Sequence, residues 1–551
     1  MLLLLIAFSQ SGVSRTFLDI HPSGTYNKDI YDLFERTLFS MLNQKRAGTL
    51  LSYVQLLLNV CIGIVYTPIM LHYLGQSEYG VYSVATAVIS FLTMLDLGFG
   101  QTLVRFYVKY KAEDQQEQAD RCAGAFLLMY LVLGAVALAI GLALAKGFLP
   151  LLFGQKFTLS ELDTLKNVLS VLVLNLALSL PLSVFSSLIT AHERFAFAKG
   201  ANIVSTLLTY GGILLVLLMG HKSLSMAVVT TVVSVAVKVF LAWYCVGKMK
   251  VNLVFGKPDK RMLQSIFAFS FFIFLNILID QLYASTDKFL LGALCGTTAV
   301  TVYTVGVQFN GSFQQLSTAI SGVFLPQVTR MYAEGAKGED FSPLFLRIGR
   351  LQYVLLSFVL TGFLAFGRQF IGLLTAGSLS ESEITRAFVI AAIIMVPGIV
   401  PLSQNVGMTI TQAMNKHRFR SLSYLVLAIL NVLISIPLCM RWEGVGAAIG
   451  TTLALFAGQY AMMNWYYYKK IGLAIPAYWK MAASITLKMA PLAIPAALLN
   501  LLLPGGGWLG LLVKIGVFSL LYLPYAWKLL LDDYEKGLAR SILRRFKRKE
   551  A

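Results

Sequence analysis

The segment Val300-Thr-Val-Tyr-Thr-Val-Gly306 closely matches Tyr79-Gly-Val-Tyr-Ser-Val-Ala85 earlier in the chain. Pro401-Leu-Ser403 matches Pro181-Leu-Ser183 in the same way, and the two separations differ by a single position. Two separate places with nearly the same offset indicate one duplicated unit rather than chance similarity. Because the unit holds about six apolar segments, an even number, the chain returns to its starting side and the two copies are parallel repeats.

The composition places this chain in a lipid bilayer. Hydrophobic residues make up 57% of the 551 residues, charged residues only 13%, and the mean hydropathy is +0.72. A soluble domain has about 25% charged residues. About 14 apolar segments have roughly the 20 residues that a helix needs to cross a bilayer. We therefore predict an all-α polytopic membrane protein with two six-helix lobes in parallel repeat, followed by two C-terminal helices.

The sequence also predicts where these parts begin and end. The predicted spans are 50–72, 79–102, 122–145, 165–189, 200–220, 223–246, 263–285, 289–311, 348–373, 386–412, 421–440, 444–467, 482–503 and 508–530. The predicted domains are an N-terminal extension (1–48), an N-lobe (49–250), a C-lobe (251–470), a C-terminal helix pair (471–531) and a basic tail (532–551). The segment beginning at Met41 looks like a natural start, and the alternative is an amphipathic interfacial segment around Ile30 to Phe39.

The positions of the basic residues that give the net charge of +19 indicate a membrane topology and not a nucleic-acid-binding domain. With a cytoplasmic N-terminus, and with residues near span ends assigned to the adjoining loop, 34 of the 45 Lys and Arg residues belong to cytoplasmic segments and 8 belong to outer loops. The remaining three, Lys238, Lys488 and Lys514, lie inside spans. This bias predicts that both termini are cytoplasmic. The tail from Arg540 to Lys549 is a juxtamembrane basic cluster that contacts anionic lipid, and we expect no nucleic-acid partner.

Several features that enzymes and pumps need are missing from the sequence. The five cysteines are widely scattered without a CxxC pair, so neither a disulfide framework nor a zinc site is expected. There is no ATP-binding loop and no HExxH motif. No outer loop is long enough for the separate domain of a membrane glycosyltransferase or polymerase. Duplicated halves in a bilayer are typical of secondary transporters, so we expect no enzyme activity, no cofactor and no metal.

The seventh predicted span carries a stripe of polar residues. Asn276, Asp280, Tyr283 and Asp287 recur at i, i+4, i+7 and i+11, which places them on one helical face, and Lys288 follows at once. A charged side chain at mid-bilayer costs about 2.5–3.5 kcal/mol on insertion scales. The stripe therefore predicts a cavity face. The alternative is that Asp287 and Lys288 are ordinary interfacial charges at the outer membrane edge.

Amide and tyrosine side chains also interrupt three other predicted spans. They are Gln55, Asn59 and Tyr66 in the first span, Gln308, Asn310, Gln314 and Gln315 in the eighth, and Gln404, Asn405, Gln412 and Asn415 in the tenth. Interhelical amide hydrogen bonds explain each of them singly. Together they predict a polar lumen between the two halves.

Two charged residues in the first lobe each leave two interpretations open. Asp96, near the end of the second span, is either an ion or gate residue, or a surface carboxylate paired with Arg105 or a backbone group. Lys238, in the sixth span, either meets a phosphate in the lumen or extends its amine to the interface. The candidate residues for substrate cavity and ion coupling are Asn59, Asp96, Arg105, Lys238, Asn276, Asp280, Asp287, Lys288, Gln308 and Gln404.

Two pairs of motifs carry a resemblance to a known family. Leu74-Gly-Gln-Ser-Glu-Tyr-Gly-Val-Tyr82 and Leu95-Asp-Leu-Gly98 resemble the opening of the polysaccharide-biosynthesis (O-antigen and exopolysaccharide) flippases. Asp287-Lys-Phe-Leu-Leu-Gly292 and Val302-Tyr303 resemble the start of that family's second half. This family belongs to the multidrug/oligosaccharidyl-lipid/polysaccharide (MOP) exporter superfamily. The resemblance covers roughly residues 41–530, and the part of the chain before Met41 departs from it.

The resemblance implies a function and a set of partners. It implies a V-shaped central cavity and the flipping of an undecaprenyl-pyrophosphate-linked oligosaccharide from the cytoplasmic to the outer leaflet. The expected location is the bacterial cytoplasmic membrane, and the expected partners include the polymerase and glycosyltransferase machinery of surface polysaccharides. Cations such as Arg105, Lys238 and Lys288 would receive the diphosphate, and central carboxylates would bind H⁺ or Na⁺. Because the duplication already supplies two lobes, we expect a monomer.

Three other functions remain as alternatives. A cation-coupled multidrug exporter of the same superfamily would have twelve spans, so the two extra C-terminal helices favour the flippase. A flippase for the lipid-linked peptidoglycan precursor also has fourteen spans. A membrane glycosyltransferase or polymerase would need a long outer loop with clustered carboxylates.

Overall fold

The structure is a computed structural model that describes residues 28–540 except 257–259, 376, 415, 417, 504, 534, 538 and 539. In this part of the chain every regular element is a helix. The α-helices are α1 (Lys28–Leu92), α2 (Phe99–Ala112), α3 (Gln116–Ala143), α4 (Leu149–Phe153), α5 (Leu159–Ala191), α6 (Phe195–Leu218), α7 (Ser223–Trp243), α8 (Lys260–Cys295), α9 (Thr297–Val323), α10 (Leu325–Ala333), α11 (Ser342–Thr375), α12 (Glu381–Ser403), α13 (Asn405–Ala413), α14 (Arg418–Leu455), α15 (Asn464–Tyr466), α16 (Ile475–Met489), α17 (Ala493–Leu502) and α18 (Trp508–Tyr525). The all-α prediction is confirmed, whereas residues 1–27, Asn415 and the tail beyond residue 540 lie outside the described residues.

Eleven helical segments of the described chain are long and apolar enough to cross a membrane. The two longest, Leu50–Ala112 with 63 residues and Phe419–Ile471 with 53, are long enough for two crossings each. Each contains a residue with non-helical backbone, Gly75 at φ 76° and Glu443 at φ 51°, so each holds more than one helix. The predicted count of fourteen spans is not confirmed as a number. Helix α9 is absent from the eleven because its amide side chains, such as Gln308 and Gln314, lower its hydropathy.

Two long helices, α5 and α12, begin with the same N-terminal capping motif. The Thr158 side chain accepts a hydrogen bond from the Glu161 backbone N–H, while the Glu161 carboxylate accepts one from the Thr158 N–H. Ser380 and Glu383 form the same capping box at the start of α12. Such a box satisfies two backbone donors that a helix start leaves unpaired. The separation of Thr158 from Ser380 agrees with the offset of the sequence repeat, so the two boxes occupy equivalent places in its copies.

The chain divides into two compact units. One, called the N-unit here, holds the described residues up to Thr304 together with Val432–Ala447. In this unit α5 packs along both α3 and α7. Gly134 and Gly141 on α3 allow a close approach, because a Cβ at Gly134 would lie 2.6 Å from the Ala177 carbonyl oxygen of α5. Small residues of this kind let membrane helices pack at short range.

The other unit, called the C-unit, holds Val305–Asn431 and the described residues from Ala448 onward. Its helix α11 packs against α12 and against the C-terminal helices α16, α17 and α18. Polar bonds join them: the Tyr353 and Thr486 hydroxyls lie 2.7 Å apart, and the buried Lys514 ammonium donates to Gln369 at 2.8 Å. The C-terminal helices are therefore part of this unit's packing.

Candidate functional site

The helical path of the N-unit breaks directly after Asp96. A short 3₁₀ turn, Thr93–Asp96, is followed by Leu97 at φ 52° and Gly98 at φ 70°, and α2 then begins at Phe99. Glycine suits position 98 for two reasons, its backbone conformation and the space around it. The first is the positive φ, which is strained for residues with a Cβ. A Cβ there would also lie 2.2 Å from Ile273 Cγ2 on α8. The break sets the half-buried Asp96 carboxylate at an irregular point between helices.

Asp96 is the centre of a polar cluster inside the N-unit. The Tyr130 hydroxyl of α3 donates a 2.6 Å hydrogen bond to Asp96 Oδ1. Lys238 of α7 donates from Nζ to the Ser179 carbonyl of α5 at 3.4 Å, and its charge acts on Asp96 without an ion pair between them among the described residues. We call Asp96, Tyr130, Ser179 and Lys238 the Asp96 cluster. Charges inside a membrane are costly, and here each of the two charged groups has its own hydrogen-bond partner, Tyr130 for Asp96 and the Ser179 carbonyl for Lys238.

Arg105 lies apart from this cluster. Its guanidinium is exposed and sits over the Phe269 ring of α8, with 4.1 Å to the ring centroid. Among the described residues, no ion pair joins Asp96 to Arg105; the Tyr130 hydroxyl donates to Asp96, and the Gly98 backbone also acts on this carboxylate, which agrees with the backbone part of that alternative. The structure therefore does not support the interpretation in which Arg105 pairs with Asp96.

The stripe predicted on the seventh span is not a uniform surface in α8. Asp280 is exposed, Asn276 and Tyr283 are half-buried, and Asp287 is only 3% exposed. The Tyr303 hydroxyl of α9 donates to the Asp287 carboxylate. Asp287 is therefore a packed contact between α8 and the start of α9 in the N-unit, while Asp280 remains the accessible carboxylate of the stripe.

In the C-unit, Gln404 lies in a buried amide chain at a helix break. The tenth predicted span, 386–412, is interrupted here, because α12 ends at Ser403 and α13 begins at Asn405. Gln404 is fully buried, and its Oε1 accepts a 3.0 Å bond from Gln459 Nε2. The Tyr424 hydroxyl donates to Gln459 Oε1 at 2.6 Å. This packing agrees with interhelical amide bonding better than with an open wall.

The remaining candidates are not gathered into either cluster. Asn59 on α1 is exposed, Lys288 on α8 is half-buried, and Gln308 on α9 is half-buried and belongs to the C-unit. No group of three or more His, Cys, Asp and Glu side chains that could hold a metal ion occurs among the described residues. The structure thus places Asp96 and Lys238 in the same unit with separate hydrogen-bond partners, and it does not gather the ten candidates into one site.

Sequence reasoning missed the residues that complete these clusters. Tyr130 and Ser179 lie in apolar helices, where a single hydroxyl gives no periodic signal. Gln459 could have been identified from the sequence as an interhelical contact, because a lone amide in an apolar segment usually bonds to another helix.

Comparisons with known proteins agree with this fold. The sequence profile of the family described as "Polysaccharide biosynthesis protein" matches residues 46–332, which is more than half of the chain. None of the curated proteins compared with the chain matches it in sequence.

Three solved structures show the same architecture. The lipid II flippase MurJ in an inward closed conformation is 13% identical, with a TM-score of 0.68 over 87% of this chain and 97% of that chain. An inward-facing multidrug resistance MATE family transporter of the MOP superfamily is 16% identical, with a TM-score of 0.58 over 76% and 96% of the two chains. A MOP superfamily transporter from Pyrococcus furiosus is 17% identical, with a TM-score of 0.52 over 78% and 96%. Likeness at such identities shows the fold, and the profile shows the family. The chain is a multi-pass membrane protein with the MOP superfamily transporter fold, and it belongs to the polysaccharide biosynthesis protein family.

Proposed function

We propose that the protein is a flippase that moves a lipid-linked oligosaccharide across the membrane for surface polysaccharide biosynthesis. The observation that carries this proposal is the match to the polysaccharide biosynthesis family in a chain that has a transporter fold. A lipid carrier is favoured because a solved structure of the same fold is described as a lipid II flippase. We assign the carrier as undecaprenyl pyrophosphate and the direction as cytoplasmic to outer leaflet of the bacterial cytoplasmic membrane.

The charges of the N-unit support an anionic, lipid-linked cargo. Arg105 is exposed beside α8, and Lys238 lies in the membrane-spanning part of the unit. A pyrophosphate is a strong acceptor for Lys and Arg side chains. In this proposal Arg105 meets the pyrophosphate first, and Lys238 exchanges its interaction with Asp96 for one with the cargo.

The acidic residues are assigned to coupling. When the cargo takes up Lys238, Asp96 loses its cation, and a proton or Na⁺ compensates its charge. The exposed Asp280 provides a second acceptor on α8. The membrane potential supplies about 2.3 kcal/mol per charge per 100 mV, which is enough to bias such a cycle. In this proposal the chain works as a monomer with both termini in the cytoplasm, and it performs transport rather than catalysis.

A test in cells distinguishes the flippase from a drug exporter. Depletion of the protein should make lipid-linked oligosaccharide accumulate with its sugars accessible to lectin only after the membrane is permeabilised. Re-expression should return sugars to the outer surface, while a Lys238→Gln protein of equal abundance should not. If depletion leaves the sidedness of the glycan unchanged and slows the efflux of a cationic dye, the result would favour the exporter.

A further inference from the structure

Three basic side chains of the N-unit meet where α2 and α5 end and α6 begins. Lys111 lies in the last turn of α2, His192 directly follows α5, and Arg194 directly precedes α6. The Lys111 ammonium lies 2.9 Å from His192 Nε2, and the charge of Arg194 also acts on this imidazole. We call these three residues the His192 cluster, and it shares no residue with the Asp96 cluster.

The hydrogen bonds of His192 fix its tautomer and its orientation. Nδ1 lies 2.9 Å from the Leu188 carbonyl, which only accepts, so Nδ1 carries the proton. Nε2 is then the acceptor for the Lys111 ammonium. The buried Tyr107 ring packs against the imidazole, with 5.4 Å between the ring centroids. The imidazole is therefore held neutral, with Nε2 directed towards a cation.

Arg194 is held on the other side of the cluster by a buried tyrosine. Its Nη1 donates to the hydroxyl of Tyr244, which follows α7, and its guanidinium lies 5.6 Å from the centroid of that ring. Tyr244 in turn stacks on Phe197 at 4.0 Å. A guanidinium has five N–H donors in a planar fork. This anchoring therefore fixes the exposed Arg194 side chain and leaves it donors for a ligand.

The positive charges of this cluster have no paired anion in the described part of the chain. Neither Lys111 nor Arg194 forms an ion pair with a carboxylate there, and this includes Glu193, which lies between His192 and Arg194 in the sequence. Glu113, near Lys111 in the sequence, pairs with Lys109 instead. Cations gathered in one place repel one another and attract an anion.

The cluster lies at a surface end of the helices. Residues 112–118, which directly follow Lys111, are all exposed. Trp243, next to Tyr244, is 59% exposed, and tryptophan is enriched where a membrane meets water. At 1.5 Å per residue, Lys111 lies about 18 Å along α2 from its start at Phe99. The cluster is thus separate from the break at Asp96, and the charge bias of the sequence predicts that its end of the spans is cytoplasmic.

We propose that Lys111, His192 and Arg194 form a binding site for a phosphate group, carried by an anionic lipid or by a soluble molecule. Lys111 turns from the imidazole to the phosphate, and the free donors of Arg194 bind a second oxygen. His192 takes up a proton on Nε2 and becomes the third donor. This inference does not rest on the proposed flippase function, because the site lies outside the Asp96 cluster.

Thermal unfolding of the purified full chain in detergent, titrated with inorganic phosphate, tests the site without a transport assay. Sodium chloride at the same ionic strength is the blank. Phosphate should raise the unfolding temperature of the wild type in a saturable way. Lys111→Gln and Arg194→Gln should each weaken this binding by about tenfold, because each loses a charge-assisted hydrogen bond. Lys109→Gln is the matched control, because it removes an exposed cation of the same helix.

A second titration separates the two sources of the phosphate. Phosphatidylglycerol or phosphatidylcholine is added to the detergent micelles in place of the salt. Stabilisation by phosphatidylglycerol alone would assign the site to a lipid headgroup, whereas stabilisation by inorganic phosphate would show that a soluble phosphate suffices. The same response in the wild type, Arg194→Gln and Lys109→Gln would overturn the site, since a general effect of anions would then explain the shift.

The role of His192 is tested with sulfate, a tetrahedral anion whose charge does not change between pH 8 and pH 6. Because binding takes up a proton, the wild type should bind sulfate more tightly at pH 6 than at pH 8. His192→Gln keeps an acceptor for Lys111 but cannot titrate, so its sulfate affinity should be the same at both pH values. An equal pH dependence in both proteins would contradict the role of His192 as the third donor.

Discussion

The Tyr130 hydroxyl donates a 2.6 Å hydrogen bond to Asp96 Oδ1 where the helical path breaks before α2. This bond joins an acid of the second predicted span to a neighbouring helix, α3. It holds the Asp96 carboxylate against α3.

Replacing Tyr130 with phenylalanine tests this relationship. The variant keeps the ring and loses only the donor, and a net hydrogen bond to a charged group contributes about 1.5–3 kcal/mol. We expect translocation in proteoliposomes to fall by about tenfold at unchanged membrane abundance. Tyr73→Phe, at an exposed tyrosine of the same unit, is the control and should behave as wild type. A wild-type rate for Tyr130→Phe would remove this bond from the transport cycle.

Gly98→Ala should lower the free energy of unfolding. A residue with a Cβ at φ 70° carries about 1–2 kcal/mol of strain, and this Cβ also meets the Ile273 side chain. Gly211→Ala is the matched control, because no atom lies within 4 Å of its added Cβ and alanine favours the interior of α6. Thermal unfolding in detergent should therefore move in opposite directions for the two variants. An equal shift of the unfolding temperature in both variants would show that the backbone at Gly98 is not constrained.

Asp280 and Asp287 should respond differently to alanine, although the sequence places them on one stripe. Asp280→Ala should leave folding and abundance near normal and reduce translocation, because its carboxylate is exposed. Asp287→Ala should destabilise the protein by about 1–3 kcal/mol, because it removes the acceptor of the Tyr303 hydroxyl. Thermal stability and translocation rate, measured on both proteins, separate the two effects.

Cysteine labelling gives an independent check of the same pair. A polar thiol reagent should modify Asp280→Cys and leave Asp287→Cys protected. Protection at both positions would assign Asp280 to buried packing, and flux at the wild-type level in Asp280→Ala would exclude it from transport.

Acid should destabilise the protein through His192, which lies between α5 and α6. Burial lowers the pKa of His192 from its ordinary value of 6.5, and Lys111 and Arg194 lower it further, while its bond to the Leu188 carbonyl opposes them. The unfolded chain therefore takes up this proton at a higher pH than the folded chain does. The stabilisation is complete above pH 6.5 and is lost as the pH falls towards the folded pKa.

The measurement is thermal unfolding between pH 8 and pH 5. His192→Gln keeps a side chain that can accept from Lys111, whose ammonium lies 2.9 Å from His192 Nε2, and it should flatten part of the pH dependence. An identical pH dependence in wild type and variant would assign the effect to other groups.

The sequence predicted the parts of this fold that depend on apolar length and on repetition. Apolar segments predicted the helices, and the motifs around Tyr79 and Asp287 predicted the family. The capping boxes of Thr158 and Ser380 were not predicted, although Thr or Ser followed three residues later by Glu is a known helix start. Helix interiors and helix starts are local properties, so a sequence determines them well.

The details of the site depend on contacts that no local pattern contains. Nothing in the spacing of Asp96 pointed to Tyr130, which lies 34 residues later in another helix. Pro401 lies three residues before the break at Gln404 and marks that region locally, but nothing local points to Gln459, which bonds to Gln404 from 55 residues away. Exposure differs along the stripe on α8, because Asp287 is covered by Tyr303, and its role as a cavity face stays a prediction. These contacts arise only when helices pack.

The most direct test of the central claim is translocation of an undecaprenyl-pyrophosphate-linked oligosaccharide by the purified full chain in proteoliposomes. The lipid is incorporated in both leaflets, and the glycan heads exposed outside are removed enzymatically over time. We predict that heads from the inner leaflet become accessible only in vesicles that contain the protein, and that Lys238→Gln slows this process by tenfold or more. Heads that stay protected for several glycans, while the same vesicles accumulate a cationic dye under an ion gradient, would contradict the flippase function.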